Sequence, residues 1–441
     1  MKLPKPSDCE VTRLGPYKYA SPVQARGLPF VNDADLALAT ADVKLIEPYL
    51  TRGELPPTFE RAGARRKLFF NPDRLTCGIV TCGGLCPGLN DVIRSIVMTL
   101  HYVYGVQRIV GFRYGYAGLS THPPALPLML EPDAVDDIHE DGGTLLGSSR
   151  GAQDPAEMVD TLVSWKVSIL FTVGGDGTQR GASKIAAEIK RRNLPISVIG
   201  IPKTIDNDLE WIDRSFGFLT AVEEARPAII AAHAEARGTP NGVGVVKLMG
   251  RHSGFIALMA SLANPDVNFC LIPESRFTLD GAGGFLEVLG ARLEQRHHAV
   301  VVVAEGAGQD ILQDPAHQKR DKSGNIKLQD VGAWLCDAIR GYCAKHQIEC
   351  GLKYIDPSYT IRSQPANSND SAYCLVLGQN AVHAGMAGRT DMVVGFTNGL
   401  FTHVPIPLVT RKRKQVDPKG ESWRYLLQMT GQPASMVGQT G

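Results

Sequence analysis

Lys203, Thr204, Asp206 and Asp208 place a cation, a hydroxyl and two carboxylates within residues 203–208. Carboxylates beside a lysine suit removal of a proton from an alcohol next to a polyanion. The stretch follows 197–201, a short apolar run that reads as a buried strand closed by Pro202, which has no N–H for a central ladder. Its polar groups therefore fall at the carboxyl end of a strand, the edge at which open α/β sheets bind ligands. A polar turn with an Asx cap on the next helix accounts for the same residues.

Other stretches carry chemistry of a related kind. Gly174-Gly175-Asp176-Gly177-Thr178 turns from a strand into a helix. Glycines there admit close approach of phosphate oxygens to backbone N–H groups, and Asp176 stands where a phosphate-bound Mg²⁺ needs an oxygen ligand. A cap on its own helix is the plainer role for Asp176, and the two are compatible. Gly83-Gly84 and Pro87-Gly88-Leu89-Asn90 form a second glycine turn, with neither a dinucleotide fingerprint nor a Gly-Lys-Ser/Thr ending. A third, 142–151, ends in Arg150 and Gly151, and the guanidinium offers fixed donors to a phosphate. Met249-Gly250-Arg251 and Ala304-Glu305-Gly306 close two further strands, and Tyr359-Thr360-Ile361-Arg362 lies in an irregular segment before a helix. Arginines of this set suit a phosphate ester and Glu305 suits sugar hydroxyls. Singly, each reads equally as a strand-end salt bridge.

These groups need a scaffold that brings strand ends together. Strands are expected near 75–81, 168–173 and 197–201, with helices near 91–104 and 176–189 between them. Apolar residues at 92, 93, 96, 97, 100 and 104 share one helical face. This alternation implies mostly parallel α/β sheets. A second series follows: helices near 218–236, 254–263, 285–296, 331–346 and 369–387, and strands near 242–249, 269–272, 299–304 and 392–395. Residues 306–330 form a long polar loop of the kind that acts as a lid. Residues 1–71 lack the alternation and read as an appended arm. Its main feature is a helix over 33–50, and the arm's Phe30, Leu36, Leu38, Leu45, Ile46 and Leu50 call for burial.

With 46 Lys and Arg against 45 Asp and Glu in 441 residues, the net charge is +1, so no global field recruits nucleic acid or an anionic membrane. The basic run 411–414 reads as a solvated turn. Nine scattered cysteines without a CxxC suggest free thiols in a cytoplasmic protein, and Cys82 and Cys86 lack a second ligand pair for zinc. No apolar stretch is long enough to span a bilayer, and the start shows no signal core.

The ordered set Gly83-Gly84/Pro87–Asn90, 174–178, Pro202–Asp208, Phe216-Gly217-Phe218 and Met249–Arg251 resembles the 6-phosphofructokinase family over about 74–410. The arm and the long loop after Glu305 are similar to the trypanosomal, plant-type and related bacterial branch, which uses ATP while resembling pyrophosphate-dependent enzymes. The resemblance implies two three-layer α/β domains: 72–210 with 386–417 for MgATP, and 211–385 with 418–441 for fructose 6-phosphate, reacting at the cleft. It implies a base at Asp206, with Asp208 orienting the site, Lys203 neutralising phosphate oxygens and Arg251 stabilising the transferred phosphoryl group. Thr204, Ile205, Asp206, Met249, Gly250, Arg251, Glu305 and Tyr359–Arg362 match sugar-phosphate positions. Gly83, Arg150, Gly151, Gly175, Asp176, Gly177 and Thr178 match ATP positions, Asp176 serving Mg²⁺. Asp176 and Asp206 are then expected to face a shared pocket.

For the donor, pyrophosphate users in the family carry Asp where Gly177 stands, and a carboxylate there would clash with the ATP α-phosphate. Lys203 serves either donor, so ATP is the expected donor and pyrophosphate the alternative. An arginine that reaches the sugar phosphate from a neighbouring subunit in simple bacterial enzymes is Gly242 here, so that pattern and its effector site do not carry over. A homotetramer or a dimer is implied by the resemblance alone. Lipid or NAD kinases share the 174–178 turn but not 202–208 or 249–251, and a silent regulatory subunit would have lost Asp176, Asp206 or Arg251.

Overall fold

The computed structural model describes residues 3–27, 29–312 and 326–439. Two compact units emerge from the chain. The first takes Met1–Ile205, Leu209–Gly217 and Ser363–Arg413; the second takes Asp206–Asp208, Phe218–Arg362 and Lys414–Gly441.

In the first unit a nine-stranded sheet has a parallel centre and antiparallel margins. Five parallel strands lie in the order Met392–Thr397, Ser197–Pro202, Ile169–Gly174, Thr76–Thr81, Arg108–Phe112. All residues of the 76–81, 169–174 and 197–202 strands are buried, as near-continuous apolar runs covered on both faces should be. Alternate side chains feed two cores. Ile79, Phe171 and Ile199 pack with Val92, Ile96, Leu377 and Ala381 of helices Leu89–Met98 and Ser368–Met386. Val80, Leu170 and Val198 pack with Met158, Leu162, Ile185 and Ile189 of helices Pro155–Ser164 and Asp176–Arg191. The result is three layers, with the expected buried faces of both strand-linked helices in place.

The second unit is built on an all-parallel sheet ordered Phe269–Leu271, His298–Ala304, Gly242–Leu248, Leu352–Ile355. Val243, Val245, Val301 and Val303 face helices Phe285–Arg296 and Val331–Lys345. Helix Phe218–Arg237 covers the other side. It sits so close that a Cβ on Gly244 would lie 2.5 Å from the Ala232 carbonyl oxygen, which explains glycine at that strand position.

Three expectations are corrected. Helix Ser368–Met386 belongs to the first unit, so the chain returns there at Ser363 rather than near 386. Ser95 Oγ donates to the Leu375 carbonyl at 2.6 Å, and a Cβ on Gly378 would press on Ser95, so this helix docks tightly on Leu89–Met98. The arm is also part of the first unit. Its expected 33–50 helix is instead a strand, Leu36–Leu38, paired with Thr58–Arg61, and a helix, Val43–Thr51. Asp42 starts that helix by accepting from Lys44 N, and the Leu-Ala-Leu alternation before it suits a strand. Leu36, Leu38 and Leu50 are exposed, whereas Phe30, Leu45 and Ile46 are half-buried.

The arm is fastened by buried charge. Arg389 is fully buried and ion-pairs with Glu60 and, at 2.6 Å, with Asp33. Arg65 adds contacts of 2.8 Å to Glu60 and 3.0 Å to Asp33, and Tyr17 donates to Asp33 at 2.7 Å. Burial works against the Glu60 carboxylate, but its partners His403 and Arg389 hold its pKa far below the usual carboxylate range.

Asp391 is a second acid, half-buried and with weaker support. It sits at φ 56° between two strands, its N–H bonded to Val198 O at 3.0 Å. Burial pushes its carboxyl up to about 6, against the pull of a Ser183 hydrogen bond. A carboxyl raised by folding favours the native state below its unfolded pKa, and that contribution is lost as pH rises through about 6. Asp391→Asn, whose amide tolerates the left-handed backbone, should therefore be more stable than wild type by about 1 kcal/mol at neutral pH and above. The gap should close towards pH ~4, where the wild-type carboxyl is itself neutral. Chemical denaturation across that range reads it, and a pH-independent difference would contradict the assignment.

Candidate active site

The donor-side residues gather at the carboxyl ends of three adjacent parallel strands of the first unit. The 76–81 strand leads into the Gly83 turn, which is stitched to the 142–151 loop. Gly83 N donates to Ser149 O at 3.1 Å, Ser148 Oγ donates to Gly83 O at 2.6 Å, and Thr81 Oγ1 donates to Gly147 O at 2.7 Å. Gly83 sits at φ 90°, where a Cβ would be strained and would lie 3.1 Å from Lys203 Nζ. A Cβ on Gly84 would meet the Arg150 guanidinium at 3.4 Å. Lys203 Nζ donates to Gly84 O at 2.6 Å. The two glycine loops, Arg150 and Lys203 thus form one cationic group.

The 169–174 strand supplies the sharper turn. Gly175 precedes helix Asp176–Arg191, so Asp176 and Gly177 begin the helix where backbone N–H groups are unpaired and the dipole favours anions. Behind them the buried Gln179 amide donates to Gly174 O at 2.9 Å and Ile201 O at 3.1 Å. Lys203 N also donates to Gly174 O, at 3.0 Å. A Cβ on Gly177 would meet nothing within 4 Å, so the space beside this turn is open. Asp176 is itself paired: its Oδ2 accepts from Arg180 and, at 3.2 Å, from Arg413. Its Oδ1 carries no hydrogen bond among the described residues.

Whether this site fits Mg²⁺ follows from its donors. Among the described residues no group of three or more His, Cys, Asp or Glu forms a protein cage for a metal. One carboxylate with a free oxygen suits an ion held mainly by phosphate oxygens and water, the usual arrangement for Mg²⁺ with a nucleotide. The cysteines of the Gly83 turn are packing groups. Burial pushes the Cys82 thiol up to about 12, and Cys86 Sγ donates to Phe216 O at 3.3 Å.

Of the acceptor-side residues, Thr204 and Ile205 close the first unit's share of the loop, and the others lie in the second unit, beginning at Asp206. Arg251 N donates to Asp206 Oδ2 at 3.3 Å, and Ser253 Oγ donates to Asp206 O at 3.2 Å. Asp208 O accepts from Lys414 N at 2.9 Å. The 249–251 turn is itself held against the next strand end. Glu305 N donates to Leu248 O at 2.9 Å and Gly306 N to Gly250 O at 3.0 Å. Gly250 adopts φ 127°, and a Cβ there would meet Ser253 O at 2.5 Å. Burial raises the Glu305 carboxyl, against the pull of Arg251 and Lys247. Met249 is buried beneath them, and the Arg251 guanidinium donates to Ile326 O.

Residues 359–362 form part of a short helix, Ser358–Arg362, rather than an irregular segment. Asp356 starts it, accepting from Ser358 N at 3.1 Å. Lys247 in turn grips Asp356 at 2.8 Å and Asp330 at 3.2 Å. Burial opposes the Lys247 charge, but Asp356 and Tyr354 together outweigh it and raise the pKa. Arg362 stacks on the exposed Tyr359 ring at 4.4 Å, and Thr360 is exposed. Ile361 is fully buried, so its side chain anchors the helix instead of reaching a ligand. Ile205, at the end of the first unit's share of the loop, packs against that unit's core.

In the 306–330 loop, residues 313–325 lie outside the described residues. The flanks include a short helix, Gln309–Leu312, and Gln309 Nε2 bonds Glu305 O at 2.8 Å and Gln329 O at 2.9 Å. The basic run is more than a solvated turn. Arg411 pairs with Asp8 at 3.0 Å, Lys412 with Glu210 at 3.1 Å and Arg413 with Asp176. Sequence reasoning missed Gln179, Arg180, Lys247, Ser253 and Arg413. Only Arg180 had a local signal, four residues after Asp176 on a helix.

Comparison with known proteins adds an independent finding. The sequence profile described as Phosphofructokinase matches residues 76–385. The chain is 51% identical to the ATP-dependent 6-phosphofructokinase of Borreliella burgdorferi, over 86% of each chain. It is 48% identical to the enzyme of that name from Amycolatopsis methanolica, over 97% of this chain and 95% of the relative. With the Trypanosoma brucei brucei enzyme the identity is 48%, covering 85% of this chain and 77% of the other. A crystal structure of pyrophosphate-dependent phosphofructokinase from Marinobacter aquaeolei superposes with a TM-score of 0.66 at 20% identity, covering 83% of this chain and 92% of that one, which speaks to the fold alone. With its glycine turns, its 202–208 and 249–251 stretches and its close relatives, the chain belongs to the phosphofructokinase family.

Proposed function

We propose that this chain is an ATP-dependent 6-phosphofructokinase, moving the γ-phosphoryl group of ATP to the 1-hydroxyl of fructose 6-phosphate and releasing fructose 1,6-bisphosphate and ADP. The observation that carries the residue assignment is the bond from Arg251 N to Asp206 Oδ2, which ties the base to the turn bearing the cation for the acceptor.

Asp206 takes the proton of the 1-hydroxyl as that oxygen attacks phosphorus. Its carboxylate is aimed by the Arg251 N–H and by the Ser253 bond to its carbonyl, so little reorganisation is needed at the moment of transfer. Asp208 and Lys203 orient the loop. Arg251, Arg362 and Tyr359 bind the sugar phosphate, and Glu305 and Thr204 its hydroxyls, while the Arg251 charge offsets that building on the transferred group. On the donor side, Gly83, Arg150, Gly151, Gly175 and Thr178 surround the phosphate chain with N–H groups and cations. Asp176 would hold Mg²⁺, which when bound neutralises phosphate oxygens and so eases attack by an alcohol. Catalysis in this reading is mostly positioning and electrostatics.

The open space at Gly177 favours ATP as the donor. Lys203 does not argue for pyrophosphate, because its Nζ is bonded to Gly84 O and serves the loop whichever donor is used. We place the enzyme in the cytoplasm, consistent with nine free thiols and with no helix among the described residues long and apolar enough to cross a membrane. A homotetramer or a dimer completes the proposal.

Two variants test it. Asp206→Asn should lower kcat by about 10²–10⁴-fold with fructose 6-phosphate binding largely kept. A loss of only a few-fold would remove Asp206 as the base. Gly177→Asp should fold normally, since the site is open and an acid at a helix start is favourable. It should nonetheless lose ATP turnover, while Gly177→Ala keeps it. Coupled assays with ATP and with pyrophosphate in parallel read both outcomes; faster turnover of the wild-type chain with pyrophosphate would reverse the donor assignment.

A further inference from the structure

Asp176 is the carboxylate that the donor reading depends on, yet it does not stand alone. Both of its contacts fall on one oxygen. Arg180 and Arg413 each present Nη2 to Oδ2, leaving Oδ1 without a hydrogen bond among the described residues. The two arginines reach it by different routes. Arg180 lies one helical turn on, and its Nη1 is braced by Thr410 O at 3.3 Å. Arg413 arrives from 237 positions further along the chain, where a β-bridge to Leu209 fixes its backbone. A surface pair four residues apart on a helix is worth only about 0.3–0.5 kcal/mol and leaves both side chains mobile. A second guanidinium from a distant element, with the carboxylate side chain 9% exposed, restricts Asp176 to one orientation.

We propose that Arg413 is a positioning residue of the donor site, which with Arg180 holds Oδ2 of Asp176 so that Oδ1 remains available to the magnesium nucleotide. This rests on the ATP-dependent reading given above. Arg413 reaches the donor site through Asp176, so its loss weakens donor binding more than the chemical step. Groups that support a metal ligand in this way typically account for about 10–100-fold in affinity.

The test compares Arg413→Gln and Arg413→Lys with the wild-type chain. In Arg413→Gln the KM for ATP and the half-saturating Mg²⁺ concentration should each rise about 10-fold. The kcat and the KM for fructose 6-phosphate should stay within about three-fold of wild type. Calorimetric titration with a non-hydrolysable ATP analogue, with and without Mg²⁺, gives a readout independent of turnover, and the loss should appear chiefly in the Mg²⁺-containing titration. Arg413→Lys, which keeps the charge, should recover most of the affinity. Wild-type affinity for the magnesium analogue in Arg413→Gln would overturn the inference, as would an equal fall in all kinetic parameters together with thermal stability. The functional reading fails separately, if the wild-type chain shows no ATP-dependent turnover; the calorimetric comparison still decides the role of Arg413.

Discussion

One buried amide holds the donor side of this protein together. Gln179 has its side chain fully enclosed and spends both amide protons on backbone carbonyls, Gly174 O and Ile201 O, at the ends of two neighbouring strands. Gly174 O also accepts from Lys203 N, whereas a carbonyl such as Ile201 O left unpaired in a dry interior would cost about 1–3 kcal/mol. Bonding both carbonyls from one side chain locks the Asp176 turn beside the Lys203 loop. The demand extends further, because a Cβ on Gly200 would lie 2.2 Å from Gln179 Oε1. Glycine in the middle of a central strand, ordinarily unfavourable, is required here by a side chain twenty-one positions earlier.

The same economy of partners appears in the arm. Asp33 and Glu60 face three arginines, Arg13, Arg65 and Arg389. A buried ion pair seldom beats a well-packed apolar one in net stability, but removing one partner leaves a charge with no water and no counter-ion. The network therefore works as a constraint. The placement of the arm gives Asp33, Glu60 and the three arginines partners, and it sets strand Thr58–Arg61 beside Leu400–Pro405. The segment that leads on to the basic run is thereby fixed as well, and Arg411 returns to the arm through Asp8.

How much of this was legible in the sequence depended on range. Strands and helices of the alternating region follow from local pattern, because burial on both faces of a parallel sheet leaves long apolar runs and the helices show one apolar stripe. The glycine turns were legible too, since φ 90° at Gly83 and φ 127° at Gly250 are backbone states that other residues avoid. Local pattern misled in the arm, where an apolar spacing that suits a helix is divided by Asp42 into a strand and a shorter helix. It misled again at Ser358–Arg362, whose helix depends on Asp356 and through it on Lys247, more than a hundred residues away. Arg413 was hidden for the same reason. A run of four basic residues looks like a solvated face, and only the fold shows that three of them have assigned carboxylates.

Lys203 illustrates why a residue's identity can say less about specificity than its contacts do. A lysine beside a phosphate site is easily taken as a mark of one particular donor. Here its ammonium donates to the Gly84 carbonyl, its backbone N–H to the Gly174 carbonyl, and its own carbonyl lies 3.2 Å from where a Cβ on Gly175 would stand. It is thus a brace between two glycine turns as well as a charge, and any phosphate chain would profit from both. Gly177 has no such obligations. With nothing within 4 Å of its missing Cβ, no packing or backbone strain compels glycine there, and helix propensity argues against it. In the ATP-dependent reading proposed above, a glycine that the fold does not need leaves room for the donor.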